Sequence, residues 1–283
     1  MKQMGLVLEG GGSRGVYTGG VIRYLMDNDI YIPYVIGVSA GACNASSYLS
    51  RQLERNKQTT IDYADHPEYL SLRNWWKNRQ LFGMDFIFDT LPNQLVPFDF
   101  DVFNNAQEEL VVGTTDCHTG DTIYYKKSER ASDMLTILRA SSSLPLVAPV
   151  VKYDNRILMD GGITDPIPIK QSVKDGNKKN VVILTQNRGY VKQPQSFIWY
   201  IKRKYGEYSG LINAIERRHH IYNETISYLL DEEKKGNVFI IAPTEKLEVG
   251  RMERNKDKLN YLYNQGYQDT SRLSESLREF LED

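Results

Sequence analysis

Cysteine is scarce in this sequence, which has only Cys43 and Cys117 among its 283 residues. So few cysteines argue against a disulfide framework and fit a reducing compartment. Long apolar runs are also missing, because no stretch approaches the roughly 20 residues that a membrane-spanning helix needs. Residues 1–5 lack the apolar core of a secretory signal. We therefore expect a cytoplasmic protein whose contact with a membrane, where it occurs, is peripheral.

A strong net charge is absent as well. The 35 Lys and Arg residues balance 36 Asp and Glu residues, which leaves a net charge of −1. This balance gives no overall attraction to nucleic acid, and we expect no nucleic-acid partner. Residues 188–220 are a local exception, with seven Lys or Arg, two Glu and several aromatic residues. Such a segment is typical either of a solvated helix face or of a surface that docks on an anionic membrane.

Histidines are also few, and this limits the catalytic groups that the chain can supply. The four histidines are His66, His118, His219 and His220. None of them follows a predicted buried strand, and the last two fall in a charged segment that reads as an exposed helix face. A hydrolase triad of Ser, His and Asp is therefore not supported by the sequence.

What the sequence does contain is an alternation of short apolar segments with segments of helical periodicity. This pattern predicts an α/β fold with a mostly parallel central sheet flanked by helices on both faces. The predicted strands are residues 4–8, 34–38, 110–115, 122–125, 156–159, 181–185 and 238–242.

Two regions of the chain are predicted from this pattern. Residues 1–190 are expected to form an α/β domain with an aromatic-rich, irregular insertion at about 55–105, which includes Trp75 and Trp76. Residues 191–283 form a mainly helical extension that packs on the same domain and adds the strand at 238–242. The insertion either forms a substrate pocket or a lid, or simply buries its aromatic side chains beneath a long connection.

A glycine-rich loop follows the first predicted strand. Residues 10–15 read Gly-Gly-Gly-Ser-Arg-Gly, which matches the Gly-x-Gly-x-x-Gly spacing of dinucleotide sites. Such a site needs an acidic residue at the end of the second strand, but Asp27 and Asp29 lie before that strand. A phosphate-binding P-loop needs Lys and Ser or Thr at its close, where this chain has Val16 and Tyr17. A nucleotide-dependent oxidoreductase that uses residues 10–15 remains the alternative to a loop that binds an oxyanion.

Residues 37–41 carry the motif Gly-x-Ser-x-Gly between a predicted strand and a predicted helix. This context is typical of a nucleophile elbow, in which Ser39 is exposed on a tight turn. An oxyanion site would be formed by the N–H of Ala40 and by N–H groups of the loop at Gly10, Gly11 and Gly12. Adjacent parallel strands would bring the two loops side by side.

An aspartate ends a later apolar strand. Asp160 is followed by Gly161 and Gly162, which leave its carboxyl group uncrowded. Taken alone, this pattern fits a catalytic carboxylate and a turn aspartate equally well.

The glycine-rich loop, the Gly-x-Ser-x-Gly motif and the Asp-Gly-Gly motif occur in the order that is found in the patatin-like phospholipases, and the chain resembles that family. Members of that family carry a Gly-Gly-Gly-x-Lys/Arg-Gly loop, then Gly-x-Ser-x-Gly, then Asp-Gly-Gly. Residues 140–150 also resemble the family's Ala-Ser-x-Ala-x-Pro segment, and the resemblance extends over about residues 5–185. It implies a patatin-like three-layer fold and a lipid acyl hydrolase that cleaves a lipid or small ester without metal or cofactor.

The resemblance also implies roles for individual residues. Ser39 would be the nucleophile and Asp160 the base of a Ser–Asp dyad. Gly11 and Gly12 would supply oxyanion donors, and Arg14 would shape or charge the loop. The chain departs from the family pattern at Pro166, where many members have Asn. A non-catalytic, lipid-binding relative that keeps the fold stays open as a further alternative.

Overall fold

The computed structural model describes residues 3–71 and 81–283. Trp75 and Trp76 of the predicted insertion lie outside these described residues. Within them, one eight-stranded sheet has the order β5-β6-β3-β2-β1-β7-β8, with β4 also paired to β3. The strands are β1 (Met4–Leu8), β2 (Tyr34–Gly37), β3 (Glu109–Asp116), β4 (Thr122–Lys126), β5 (Val151–Tyr153), β6 (Arg156–Asp160), β7 (Lys179–Ile183) and β8 (Val238–Ile241).

Parallel pairs form the centre of the sheet, and antiparallel pairs lie at one side. The strands β3, β2, β1, β7 and β8 are joined by parallel pairing. The strands β4 and β6 run antiparallel to β3, and β5 runs antiparallel to β6. The predicted mostly parallel sheet is therefore confirmed. The strand β5 was not predicted, since three residues carry too little apolar pattern.

Helices cover both faces of this sheet. They are α1 (Val16–Asp27), α2 (Ala40–Leu49), α3 (Arg55–Lys57), α4 (Phe100–Asn105), α5 (Lys127–Arg130), α6 (Met134–Ser141), α7 (Ile169–Lys174), α8 (Ile198–Lys204), α9 (Ser209–Lys234), α10 (Lys256–Arg272) and α11 (Ser274–Glu282). Two π-helical segments, Gln58–Asp62 and Phe86–Leu95, lie within the insertion. No helix in the described ranges is both long enough and apolar enough to cross a bilayer.

The side chains of β1 show how the two layers form. Leu6 and Leu8 belong to a buried cluster that includes residues of α1 and α2. Val7, between them, belongs to a second cluster with Tyr222 and Leu229 of α9. Because successive side chains of a strand point to opposite faces, a continuous apolar run is buried on both sides. The predicted arrangement of helices on both faces is confirmed.

The register of the strands places the functional motifs at one edge of the sheet. Leu8 at the end of β1 is level with Gly37 of β2 and with Ile183 of β7. The loops that leave these strands therefore begin side by side. Asp160 pairs with Thr114 of β3, which brings the end of β6 to the same region.

The C-terminal segment contacts the sheet and α1 directly. The strand β8 pairs with β7, and α10 packs closely along α1. A Cβ atom added to Gly266 would lie 2.2 Å from the carbonyl oxygen of Tyr17. The Tyr17 hydroxyl donates a hydrogen bond of 3.1 Å to the Asp269 carboxylate. We propose on these contacts that residues 191–283 fold together with the preceding domain.

A substitution at this helix contact tests that proposal. We expect Gly266→Ala to destabilise the whole chain by roughly 1–3 kcal/mol, because the added methyl group forces the two helix backbones apart. Urea unfolding followed by circular dichroism measures the effect. Gly250→Ala is the matched control, since its added Cβ has no atom within 4 Å. Equal unfolding midpoints for the two variants would contradict the proposal.

Candidate active site

Ser39 lies in a tight turn between β2 and α2. Its backbone has φ 55° and ψ −130°, a strained region for any residue except glycine. A Cβ on Gly37 would lie 2.9 Å from the Ala42 nitrogen, and one on Gly41 would lie 2.5 Å from the Leu8 carbonyl oxygen. Both flanking positions therefore require glycine, which is the physical reason for the Gly-x-Ser-x-Gly pattern. The structure places Ser39 on the turn that the motif predicts.

The turn is held by a hydrogen-bond chain that sequence analysis missed. The Ser39 backbone N–H donates to the Ser141 hydroxyl at 2.8 Å, and that hydroxyl donates to the Gly113 carbonyl at 2.7 Å. Ser141 is fully buried at the end of α6. Its segment resembles a family motif, but no local pattern indicates a contact 102 residues away.

Asp160 lies at the end of β6 and is 1% exposed. Its Oδ1 accepts a 2.8 Å hydrogen bond from the Gly162 N–H. Its Oδ2 is buried and has no hydrogen-bond partner in the described structure. A Cβ on Gly161 would lie 2.1 Å from the Gly113 carbonyl oxygen, so the chain needs glycine directly after this aspartate.

Several groups act on the ionisation of Asp160. Burial is the largest influence and raises the pKa of its carboxyl group above 3.8. The Ser39 hydroxyl, the Arg218 guanidinium, the Gly162 N–H and Arg251 all oppose this rise. The hydroxyl of Ser39 thus lies close enough to Asp160 to favour the ionised form of its carboxyl group.

The glycine loop lies directly against Ser39. A Cβ on Gly10 would be 3.2 Å from the Ser39 Cβ, and Gly12 has φ 58° with its Cα facing the carbonyl oxygen of Arg251. The Gly10 N–H donates to the Pro166 carbonyl at 3.3 Å. The contribution of Gly10 is therefore its missing side chain rather than a free N–H group. Pro166, the departure from the family pattern, supplies the carbonyl oxygen that fixes this end of the loop.

Three N–H groups near Ser39 remain available. Among the hydrogen bonds between described residues, none uses the N–H of Gly11, Gly12 or Ala40 as a donor. Gly12 and Ala40 each begin a helical turn, where the first N–H groups have no partner within the helix. Donors in this position can bind an oxyanion or another anionic group.

Arg14 belongs to the glycine loop, and its side chain does not line the cavity beside Ser39. Its Nε is buried and has no hydrogen-bond partner in the part of the chain that the structure describes. Burial is the main cause of its lowered pKa, and repulsion from Arg251 adds to it, while Glu9 acts in the opposite direction. Arg14 therefore lies among other charges rather than in the apolar space beside Ser39.

A cavity of about 130 Å³ opens beside Ser39 and is lined mainly by apolar side chains. Gly12, Ser39 and Ala40 are among the residues that line it. The predicted insertion supplies much of the rest, namely Tyr69, Phe82, Met84, Ile87, Phe88, Leu91, Pro92 and Phe98. Other apolar side chains of the insertion, such as Val96, pack in a separate buried cluster. The insertion thus both lines a cavity and buries side chains of its own.

The histidines pack against aromatic rings instead of joining Ser39. His66 stacks on Phe86 with ring centroids 4.5 Å apart, and His118 contacts the edge of Tyr208 at 5.2 Å. His219 and His220 lie beside each other on α9. Among the described residues, no cluster of His, Cys, Asp and Glu has the arrangement needed to hold a metal ion.

Two family models match different parts of the chain. A family model described as patatin-like phospholipase matches residues 6–173. A second model, described as a domain of unknown function (DUF6363), matches residues 208–282. The "Uncharacterized protein YjjU" of Escherichia coli (strain K12) is 26% identical over 259 residues, which are 87% of this chain and 70% of that protein.

More distant relatives carry names from lipid chemistry. "Lysophospholipase NTE1" of Debaryomyces hansenii is 24% identical over 189 residues, which cover 64% of this chain but only 12% of that protein. "Probable lipid hydrolase 463L" of Invertebrate iridescent virus 6 is 26% identical and covers 62% of this chain and 65% of its own. The crystal structure of VipD from Legionella pneumophila matches 96% of this chain and 67% of its own with a TM-score of 0.50 and 12% identity, which supports a shared fold.

Proposed function

This chain belongs to the patatin-like phospholipase family, and from that premise we propose that it is a lipid hydrolase that cleaves carboxylic esters through an acyl-enzyme on Ser39. One observation carries the proposal. The Ser39 hydroxyl lies beside the buried Asp160 carboxyl group, and Ser39, Gly12 and Ala40 line an apolar cavity. This is the set of groups that ester hydrolysis by a serine nucleophile requires.

The first half of the proposed reaction forms the acyl-enzyme. Asp160 accepts the hydroxyl proton while Ser39 Oγ attacks the ester carbonyl carbon. The N–H groups of Gly11, Gly12 and Ala40 donate hydrogen bonds to the oxyanion that develops on the carbonyl oxygen. Loss of one such donor typically raises the barrier by about 3 kcal/mol. The C–O bond to the alcohol then breaks, and the alcohol leaves with the proton from Asp160.

The second half releases the fatty acid. A water molecule takes the place of the alcohol, and Asp160 accepts its proton as the water oxygen attacks the acyl carbon. The same N–H groups bind the second oxyanion. The bond to Ser39 Oγ breaks, the serine regains its proton from Asp160, and the carboxylic acid leaves. The enzyme returns to its starting state without a metal or a cofactor taking part.

We assign the cavity beside Ser39 to the acyl chain, and a substitution that fills it tests this assignment. Ile87 is a half-buried lining residue of the insertion. We expect Ile87→Trp to reduce kcat/KM for a dodecanoyl ester at least about tenfold relative to a butyryl ester, because the indole ring occupies the distal space. Kinetics on matched p-nitrophenyl esters measure the ratio. Val173→Trp, at an exposed position on α7, is the control. An equal loss on both esters would refute the assignment.

Contact with a membrane is a second part of the proposal. Val191, Phe197, Trp199 and Tyr200 are exposed large apolar side chains. They lie within the basic, aromatic segment that the sequence singled out, and α8 also carries Lys202, Arg203 and Lys204. Aromatic and basic side chains together favour the surface of an anionic bilayer. Liposome flotation with and without anionic lipid distinguishes membrane docking from an ordinary solvated face.

Product analysis tests the function itself. Purified protein is incubated with a lysophospholipid and with a neutral acylglycerol, and the released fatty acid is measured by mass spectrometry. Release from either substrate by the wild-type protein supports an ester hydrolase. Binding of lipid without release would favour a non-catalytic relative, and a spectral change on titration with NAD(H) would favour the oxidoreductase alternative.

A further inference from the structure

Four basic side chains lie around the glycine loop and the Asp160 turn, namely Arg14, Lys192, Arg218 and Arg251. In the described residues, none of them forms a salt bridge with a carboxylate. Repulsion from Arg251 contributes to the lowered pKa of Arg14, Lys192 and Arg218, so Arg251 lies near all three. We call these four residues the basic cluster.

Arg218 is the member nearest to Asp160. It lies on α9, and its Nε donates a 2.5 Å hydrogen bond to the Gly162 carbonyl oxygen. Its Nη2 is 3.6 Å from the position that a Cβ on Gly162 would occupy. The hydrogen bond therefore fixes the guanidinium group over the turn that follows the proposed base.

Arg251 and Lys192 are held near the same place by their backbones. The Arg251 carbonyl oxygen accepts a 3.0 Å hydrogen bond from the Ser13 N–H, so residue 251 is tied to the glycine loop. Lys192 exchanges hydrogen bonds of 2.8 and 3.1 Å with the side chain of Asn223. Its Nζ is 5.0 Å from the centre of the Tyr222 ring. Hydrogen bonds therefore fix the backbones of both residues.

The charges in this region do not balance. Two carboxyl groups face the basic cluster, Asp160 and Glu9, and Glu9 is fully buried and accepts a hydrogen bond from the Thr185 N–H. Burial, followed by repulsion from Arg218 and Arg251, lowers the pKa of Lys192 to about 7. Burial and the same kind of repulsion lower the pKa of Arg218 to about 10. Clustered cations that have lost part of their hydration are stabilised by a bound anion.

We propose that the basic cluster is a subsite for a phosphate group on the substrate, next to the scissile ester. The proposal rests on the proposed function and narrows its substrate to glycerol esters that carry a phosphate. The lining of the apolar cavity includes Ser39 but none of the four basic residues. The acyl chain and the phosphate group of one substrate would therefore lie on different sides of Ser39. Arg side chains suit a phosphate group, because the planar guanidinium can donate two parallel hydrogen bonds to two phosphate oxygens.

The subsite assigns a role to the C-terminal part of the chain. Lys192, Arg218 and Arg251 all lie outside residues 6–173, the range of the patatin-like match. Arg218 and Arg251 lie within residues 208–282, the range of the second match. In this proposal the N-terminal part supplies the reacting groups, and the C-terminal part selects the substrate by its charge.

The test compares two water-soluble esters that differ only in the phosphate, 1-butyryl-glycerol and 1-butyryl-glycerol 3-phosphate. We expect wild-type kcat/KM to favour the phosphate ester. Lys192→Gln should lower the ratio of the two kcat/KM values by about tenfold, the effect expected for one lost hydrogen bond to a charged group. The matched control is Lys152→Gln, which removes the same charge from an exposed position on β5. The control should keep the wild-type ratio.

Inhibition separates a substrate phosphate from free phosphate. Glycerol 3-phosphate should inhibit hydrolysis of 1-butyryl-glycerol competitively, and Lys192→Gln should raise its inhibition constant by about the same factor. Inorganic phosphate should inhibit more weakly. Equal inhibition by inorganic phosphate would indicate a site for the free ion and would overturn the proposal.

The possible failures have separate signatures. If the wild-type protein hydrolyses neither ester, the proposed function fails together with the subsite. If it hydrolyses both with equal efficiency, the hydrolase stands and the subsite is rejected. An unchanged ratio in Lys192→Gln, combined with lost flotation on vesicles that contain phosphatidylserine, would assign the basic cluster to membrane docking instead.

Discussion

Replacing Ser39 with Ala is expected to abolish ester hydrolysis. We predict that kcat for a short p-nitrophenyl ester falls by at least about 10⁴-fold, because the acyl-enzyme cannot form without the hydroxyl nucleophile. The N–H groups of Gly11, Gly12 and Ala40 remain, so binding of the ester should change little. Steady-state kinetics, with circular dichroism as a check on folding, measure this outcome.

The fold should tolerate this substitution well. The turn around Ser39 is fixed by contacts of its backbone, since its N–H donates to Ser141 and the flanking glycines pack against other backbone atoms. Ser47→Ala is the matched control, because Ser47 is buried on α2 and its hydroxyl makes no hydrogen bond in the described structure. We expect that control to retain activity. An active Ser39→Ala enzyme would remove the basis of the proposed mechanism.

Replacing Asp160 with Asn is the second prediction with a large effect. We expect kcat to fall by about 10²- to 10⁴-fold, the usual contribution of a general base. The amide can still accept the hydrogen bond from the Gly162 N–H through its remaining oxygen, so the turn should be preserved. What the substitution removes is the ability of Oδ2 to accept the Ser39 proton.

The pH dependence of the hydrolysis rate also follows from the role of Asp160. Burial raises the pKa of Asp160, and only the ionised carboxylate can accept a proton. The wild-type rate should therefore be constant above that pKa and should fall as the pH decreases through it. The variant Asp160→Asn should lose this acid limb, and its residual rate should vary little over the same range.

A second buried aspartate provides the control. Asp165 lies five residues further on, accepts a hydrogen bond from the Tyr124 hydroxyl, and has its pKa raised to about 6 by burial. We expect Asp165→Asn to retain the acid limb of the wild-type profile. If the limb vanishes in Asp165→Asn and persists in Asp160→Asn, the base has been assigned to the wrong residue.

The sequence predicted those parts of the structure that depend on interactions between residues close together in the chain. The apolar run at β1 and the glycines around Ser39 each reflect a constraint that acts within a few residues. Gly37 and Gly41 are required because neighbouring backbone atoms leave no space for a Cβ. The order of strand and helix then follows from periodicity, and the parallel sheet follows from that order.

Long-range contacts account for what the sequence did not reveal. The hydrogen bond from the Ser39 N–H to Ser141 and the contact of Arg218 with Gly162 join residues far apart in the chain. No period or motif marks either contact. The Gly10 N–H was expected to face an oxyanion, and it donates to the Pro166 carbonyl oxygen instead. The loop geometry that directs this N–H group is set by the packing of two separate segments.

The two regions of the chain have separate roles in this account. Residues 6–173 carry every group that reacts in the proposed mechanism. The C-terminal segment contributes β8 to the sheet and brings Arg218 and Arg251 to the edge where Ser39 lies. We therefore expect substitutions in the C-terminal segment to change the preference among ester substrates more than the chemical steps of hydrolysis.

Labelling with a fluorophosphonate probe, followed by mass mapping of the modified peptide, tests the central claim most directly. We expect one adduct per chain, on Ser39, with loss of ester hydrolysis in proportion to labelling and no adduct in Ser39→Ala. An adduct on a different serine that tracks the loss of activity, or full hydrolysis by a chain labelled at Ser39, would contradict it.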